Sequence, residues 1–115
     1  HAGFFAMYKT LRRDVVEAVR EHLARYPKTC KITVTGHSLG GVLSSFLAVD
    51  LLETGMVKNI ERVHVSLYGS PSIGNLAFKQ YYDTLLPATL QFGIWNDPII
   101  MYPPQPCSIV YWHCV

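Results

Sequence analysis

The residues with the clearest chemical potential lie at positions 36–40, where two glycines flank a serine in the pattern G-x-S-x-G. This spacing is typical of a nucleophile elbow, a sharp turn between a strand and a helix that exposes a serine hydroxyl. Side chains two residues before and after the serine would collide with each other or with the helix. The pattern therefore predicts a nucleophile at Ser38 and a steric need for glycine at Gly36 and Gly40.

The sequence on either side of the motif fits such a turn. Residues 32–34 are β-branched and indicate a strand, whereas residues 42–52 are mostly apolar and indicate a buried helix. Gly41 would let that helix approach the strand closely. The backbone N–H of Leu39, at the start of the helix, would then point to where an oxyanion forms. The alternative is a glycine-rich turn between strand and helix with an unreactive serine.

The remaining patterns alternate between helices and strands, which favours an α/β fold. Helices are predicted over residues 4–26 and from an Asn75 cap to about residue 84, and Gly55 is a natural end for the helix after the elbow. Strands are predicted over residues 62–68, with Val63, Val65 and Leu67 on one face, over residues 89–95 and, shorter, over residues 108–112. Strands that are separated by helices join through right-handed crossovers. We therefore expect a mostly parallel sheet of about three to four strands with flanking helices.

The first helix is predicted to be amphipathic. Its apolar positions recur at three- and four-residue spacing and are Tyr8, Leu11, Val15, Val19, Leu23 and Tyr26. The other face is charged and consists of Arg12, Arg13, Glu17, Arg20, Glu21 and Arg25. The simplest interpretation of the charged positions is a solvated surface with some pairing between successive turns.

A second candidate for chemistry is Asp97, which follows the predicted strand over residues 89–95. Active groups of open parallel sheets gather at the carboxyl ends of the strands, so Ser38 and Asp97 should lie at one edge. A serine needs a histidine to take its proton, and a carboxylate fixes that histidine's tautomer. The alternative role for Asp97 is that of a turn residue in Asn-Asp-Pro. His113 is the one histidine downstream of Asp97, and the residues alone make it the obvious third member.

Composition excludes several function classes. The chain has 115 residues, of which 50% are hydrophobic and 16% charged, with a net charge of +2. These values predict one globular domain, and the lack of a basic cluster argues against nucleic-acid binding. The longest apolar run, around residues 39–49, is too short and too glycine-broken to span a bilayer. We expect no cofactor.

The three cysteines leave the redox state open. Cys107 and Cys114 could pair and leave Cys30 free, all three could be free thiols, or they could pair outside these residues. No cysteine has a zinc-site spacing with the scattered histidines, so we expect no metal.

Five segments resemble the motifs of the class 3 lipases, the fungal-type triacylglycerol lipase family. They are, with the family's own motif in parentheses, residues 1–4 (V-H-x-G-F), 26–27 (Y-P), 35–41 (the elbow), 68–75 (G-[SQ]-P-R-[VI]-G) and 96–104 (N-x-x-D-x-V-P-x-L-P-P). The chain departs from the family at three points. Ser72 stands where the family usually has arginine, Pro98 directly follows the aspartate, and Val42 replaces a small residue.

The resemblance implies an α/β-hydrolase fold and a serine carboxylic-ester hydrolase, with a triacylglycerol lipase as the expected member. It implies an acyl-enzyme on Ser38 and a catalytic role for Asp97. It makes His113 structural and places the catalytic histidine beyond residue 115, and it places the lid and the second oxyanion donor before residue 1. Residues 1–115 would then be the central part of one domain.

The expected partners are ester or acylglycerol substrates and possible contact with a lipid interface, in a secreted or membrane-peripheral protein. The alternative function is that of a catalytically inactive lipase-like module for binding or signalling. By itself, the 115-residue chain is expected to aggregate and to be inactive, because a parallel sheet edge would be bare.

Overall fold

The computed structural model describes residues 1–26 and 29–102. The elements, in order, are α1 (Ala2–Arg25), β1 (Ile32–His37), α2 (Leu39–Glu53), a short 3₁₀ helix (Ile60–Arg62), β2 (Val63–Tyr68), α3 (Leu76–Leu85) and β3 (Leu90–Phe92). The predicted strand over residues 108–112 lies outside the described residues. None of the helices in the described ranges reaches the run of apolar residues that a bilayer span requires.

The three described strands form a parallel sheet in the order β1-β2-β3, so the predicted α/β class is confirmed. Val34 of β1 lies opposite Val65 of β2, and Ser66 of β2 lies opposite Leu90 of β3. β3 is shorter than predicted. Its partner strand ends at Tyr68, so the residues that follow Phe92 have no strand to pair with.

One face of the sheet packs against all three helices. The strand side chains Val34, Val65 and Leu67 share a hydrophobic core with residues of α1, α2 and α3. The helical members of this core are Val19, Leu23, Leu47, Ala48, Val49, Leu51, Leu52, Phe78, Tyr82 and Leu85. The alternation of Val63, Val65 and Leu67 predicted this buried face, because successive side chains of a strand point to opposite sides.

The ends of two helices follow the predicted capping chemistry. The side chain of Asn75 accepts a hydrogen bond from the Phe78 N–H at 3.0 Å and begins α3. Gly55 follows the end of α2 with a φ of +68°, the left-handed conformation that favours glycine there.

The inward face of α1 differs from the prediction. Tyr8 and Val16 are buried, whereas Leu11 and Tyr26 are 47% and 51% exposed. Arg12, assigned above to the solvated face, is 47% exposed, but its guanidinium is directed toward α2. It lies one turn after Tyr8 and one turn before Val16, and it reaches Asp50 on α2. The periodicity of α1 alone could not reveal this, because the partner lies 38 residues away.

Tyr8, Arg12 and Asp50 form a polar cluster between α1 and α2. The Arg12 guanidinium donates to Asp50 Oδ2 at 2.7 Å and to Oδ1 at 2.8 Å, and the Tyr8 hydroxyl donates to Oδ2 at 2.7 Å. Burial alone would raise the pKa of the Asp50 carboxyl, but the hydrogen bonds from Arg12 and Tyr8 outweigh burial and hold the pKa below its usual value. The cluster therefore depends on an ionised Asp50.

β1 and α2 approach so closely at Gly36 that no side chain fits there. A methyl group on Gly36 would lie 2.3 Å from the Gly40 carbonyl oxygen. A methyl group on Gly41 would lie 2.7 Å from Ser70 Cβ in the loop after β2 and 3.3 Å from the Gly36 carbonyl oxygen of β1, so α2 closely approaches both segments there. Gly40 differs from the expectation, because a methyl group there meets nothing within 4 Å. The crowding is one-sided because the Gly36 Cα faces the backbone of α2, whereas the Gly40 Cα does not face β1.

We expect Asp50→Asn to lower the free energy of unfolding by about 1–3 kcal/mol at pH 7, as for hydrogen bonds to a charged group. The folded-state pKa of Asp50 lies below the unfolded value of about 3.9. Its stabilisation is therefore present above that pH and is lost as the pH falls through the folded-state pKa. Chemical denaturation from pH 7 to pH 3 should show the penalty of the variant shrinking in acid.

The control for this experiment is Asp14→Asn, which breaks the ion pair of Asp14 with Arg13. Both side chains of that pair are more than two-thirds exposed, so we expect a change of at most about 0.5 kcal/mol. A penalty for Asp50→Asn that is equal to the control, or that does not depend on pH, would contradict the role of the cluster.

We expect Gly36→Ala to destabilise the protein by about 3 kcal/mol or more, because the methyl group must displace the α2 backbone. Gly40→Ala should change the stability by less than about 1 kcal/mol, because alanine favours a helix and the space is open. Thermal and chemical denaturation of the two variants measure this difference. An equal loss of stability in the two variants would contradict the difference in space around the two glycines.

Candidate active site

Ser38 occupies the single residue between the end of β1 and the start of α2. Its φ of 52° and ψ of −125° are unusual for a residue with a side chain, and no other non-glycine residue within 1–26 and 29–102 has a positive φ. Such a conformation costs on the order of 1–3 kcal/mol and persists only where the surrounding structure enforces it. The sharp turn between strand and helix that the motif predicts is therefore present.

The start of α2 supplies amide groups next to this serine. Leu39 is the first residue of the helix, and the first amides of a helix have no partner within it. The Gly41 N–H donates to the Ser38 carbonyl oxygen at 3.0 Å, which closes the first turn. Since the helix dipole favours negative charge here, the Leu39 N–H is in a suitable place to donate to an anionic oxygen.

Two backbone hydrogen bonds connect the strand ends at the carboxyl edge of the sheet. The Ser38 N–H donates to the Tyr68 carbonyl oxygen at 2.9 Å, and the Gly69 N–H donates to the Phe92 carbonyl oxygen at 2.7 Å. The first bond links the elbow to the end of β2, and the second links the residue after β2 to the end of β3. Ser38 is thereby held in a fixed position relative to the loop that follows β3.

Asp97 lies in that loop and is held by the backbone around it. Its N–H donates to the Ile94 carbonyl oxygen at 2.9 Å, and its Oδ1 accepts from the Ile99 N–H at 2.9 Å. The turn role that Asn-Asp-Pro suggested is thus present. It also fixes the carboxylate at the same edge of the sheet as Ser38, so the turn role and a catalytic role do not exclude each other.

The Asp97 carboxylate and the His37 imidazole both lie close to Gly69. A methyl group on Gly69 would lie 3.4 Å from Asp97 Oδ2 and 3.6 Å from His37 Nε2. His37 and Gly69 were not among the residues selected from the sequence as site residues. The available signal for His37 was its position next to the serine in the motif, whereas the sequence gives no indication of what Gly69 contacts.

The loop after β2 packs directly against the elbow. Ser70 is 1% exposed and touches the position that a Gly41 side chain would occupy. The side-chain amide of Gln91 donates to the Ser70 carbonyl oxygen at 3.1 Å, and the Ser72 N–H donates to the Tyr102 carbonyl oxygen at 2.8 Å. These contacts join the loop after β2 to β3 and to the segment after Asp97.

Several predicted residues lie outside the part that the structure describes. His113, Cys107 and Cys114 are among them, so their predicted roles are neither supported nor contradicted by the structure. Cys30 is described as a partly buried free thiol. Within residues 1–26 and 29–102, no group of three or more histidine, cysteine and acidic side chains could hold a metal ion.

Comparison with known proteins gives a consistent result. The family model described as lipase (class 3) matches residues 1–106. A lipase of Rhizopus niveus is 33% identical over 84 residues, which are 73% of this chain and 21% of the relative. A secreted mono- and diacylglycerol lipase A of Penicillium cyclopium is 31% identical over 101 residues, which are 88% of this chain and 31% of the relative.

A solved structure shows that the similarity extends to the fold. The crystal structure of a lipase from Rhizopus microsporus var. chinensis matches with a TM-score of 0.84 and 31% identity, over 90% of this chain and 36% of that one. The chain spans about a fifth to a third of the length of the two curated relatives above. Because the family model covers all but the last residues, the chain belongs to the class 3 lipase family.

Proposed function

We propose that these 115 residues are the nucleophile-bearing central part of one lipase domain, and that the complete domain hydrolyses carboxylic esters, with acylglycerols as the substrate class. The observation that carries this proposal is the conformation of Ser38, a half-buried residue whose positive φ forms the sharp turn at the carboxyl edge of the sheet. The fixed carboxylate of Asp97 at the same edge supports it.

In the proposed reaction, Ser38 Oγ attacks the ester carbonyl carbon while a histidine takes the hydroxyl proton. The carbonyl oxygen becomes an oxyanion, and the Leu39 N–H donates to it. The C–O bond to the alcohol then breaks, and the histidine returns the proton to the leaving alcohol. Water attacks the acyl-enzyme in the same way, which releases the fatty acid and restores Ser38.

Asp97 serves in this scheme by accepting a hydrogen bond from the histidine. Its charge fixes the tautomer and stabilises the imidazolium that forms during attack. We propose that this histidine comes from the sequence after residue 115 and that His113 is structural, as the family resemblance implies. The second oxyanion donor and a lid would come from the sequence before residue 1.

The apolar surroundings of Asp97 support a lipid substrate. Ile94 and Trp95, just before Asp97, are 73% and 76% exposed. Apolar side chains beside a reaction site suit an apolar acyl chain and contact with a lipid interface. The name of the Penicillium cyclopium relative includes the word secreted, which supports secretion for this protein as well.

Labelling with a fluorophosphonate probe tests the proposal in the complete protein. We expect one adduct, mapped to Ser38 by mass spectrometry, and hydrolysis of a short-chain ester. Ser38→Ala should abolish labelling and lower kcat by at least about 10⁴-fold, because the covalent route is lost. Asp97→Asn should lower kcat by about 10³–10⁴-fold, because it loses the charge that stabilises the imidazolium.

The control is Ser44→Ala, which removes a different hydroxyl of α2, one that donates to the Thr35 carbonyl oxygen at 2.9 Å. This variant should keep both labelling and turnover. A folded wild-type protein that neither labels nor hydrolyses esters would reject the enzyme and favour a lipase-like binding or signalling module.

A further inference from the structure

The two carboxylate oxygens of Asp97 have different surroundings. Oδ1 accepts a hydrogen bond from the Ile99 N–H at 2.9 Å within its own turn. Oδ2 faces Gly69 across the edge of the sheet. Since the turn engages Oδ1, Oδ2 is the oxygen that is suited to receive the N–H of a triad histidine.

Gly69, the residue next to Asp97 Oδ2, has no side chain, and its backbone conformation is one that favours glycine. Gly69 has a φ of +52°, and its N–H donates to the Phe92 carbonyl oxygen at 2.7 Å. This hydrogen bond fixes the backbone of Gly69 relative to β3 and therefore relative to the loop that carries Asp97. The bare Cα is thus kept beside Oδ2.

The other border of this space is the imidazole of His37, at the end of β1. His37 lies opposite Tyr68 in the parallel register, and Tyr68 directly precedes Gly69 in the chain. We use the term Gly69 gap for the space beside the Gly69 Cα that a methyl group would occupy. Asp97 Oδ2 and His37 Nε2 border this space, at 3.4 and 3.6 Å from the position of that methyl carbon. These distances are ordinary van der Waals contacts, so a methyl group would fill the gap without a severe clash.

We propose that Gly69 and His37 are positioning residues for Asp97, because the gap leaves Oδ2 open to the triad histidine and His37 limits the access of water to it. This inference rests on the proposed esterase function. A methyl group in the gap would cover Oδ2 and weaken its hydrogen bond to the histidine. Loss of the His37 ring would admit water that competes for the same oxygen. Both changes act on the transition state, in which the histidine becomes charged.

The first test compares Gly69→Ala with Gly55→Ala in the complete protein. Gly55 has a φ of +68° and open space around it, so both variants impose a left-handed alanine, but only the first fills the gap. We expect Gly69→Ala to lower kcat about 10- to 100-fold with KM changed less than twofold, and Gly55→Ala to leave both within twofold. Equal kcat values for the two variants would overturn the proposal.

The second test uses His37 and does not depend on how Gly69→Ala folds. We expect His37→Ala to lower kcat about 3- to 10-fold, and His37→Gln, which keeps a side chain of similar reach in the same place, to recover most of this loss. His64→Ala is the control, because His64 pairs with Thr33, far from the carboxyl edge. Wild-type kcat in His37→Ala, or no recovery in His37→Gln, would refute the role of His37.

The double variant Gly69→Ala/His37→Ala tests whether the two residues border one space. In the His37→Ala background the methyl group would exclude part of the water that the missing ring admits, so Gly69→Ala should reduce kcat less there than in wild type. Strictly multiplicative effects would contradict a shared gap. In all arms, fluorophosphonate labelling and turnover of the wild type come first. An inactive wild type would reject the proposed function, whereas an active wild type with unaffected variants would reject only this inference.

Discussion

The close approach of β1 and α2 at Gly36 is the constraint on which the rest of the site depends. Because the helix backbone occupies the place of a side chain at Gly36, the chain must reverse within one residue. Ser38 is that residue, and its positive φ is the local consequence. The conformation of Ser38 is thus tied to packing two residues away and does not reflect a preference of serine.

The helix that follows offsets this local strain. Val42, Ala48 and Leu51 of α2 are fully buried, and each buried valine or leucine side chain contributes about 1.5–3 kcal/mol. Contacts with α1 add to this, through the polar cluster around Asp50 and through Tyr8 and Phe46, whose ring centroids lie 5.7 Å apart. The conformation of Ser38 is therefore held by the core that α2 forms with the sheet and with α1.

The ends of the parallel strands hold Ser38 and the loop that carries Asp97 in fixed positions relative to each other. Each strand end is tied to the next by one backbone hydrogen bond, first at Tyr68 and then at Gly69. Both bonds lie one residue beyond a strand pair, where the chain is already turning away. The geometry of the candidate site is thus a property of three strand ends together, and a change at any one of them reaches the other two.

Local signals in the sequence determined the elements and the main candidate residues. The G-x-S-x-G motif, the Asn75 cap, Gly55 after α2 and the alternation of β2 each act within a few residues, so the sequence predicts them directly. Only the tertiary structure decided the length of β3, the pairing of Arg12 with Asp50, the open space at Gly40 and the surroundings of Asp97 Oδ2. Each of these depends on contacts between segments that are distant in the chain, and the sequence does not specify which segments meet until the sheet and helices have packed.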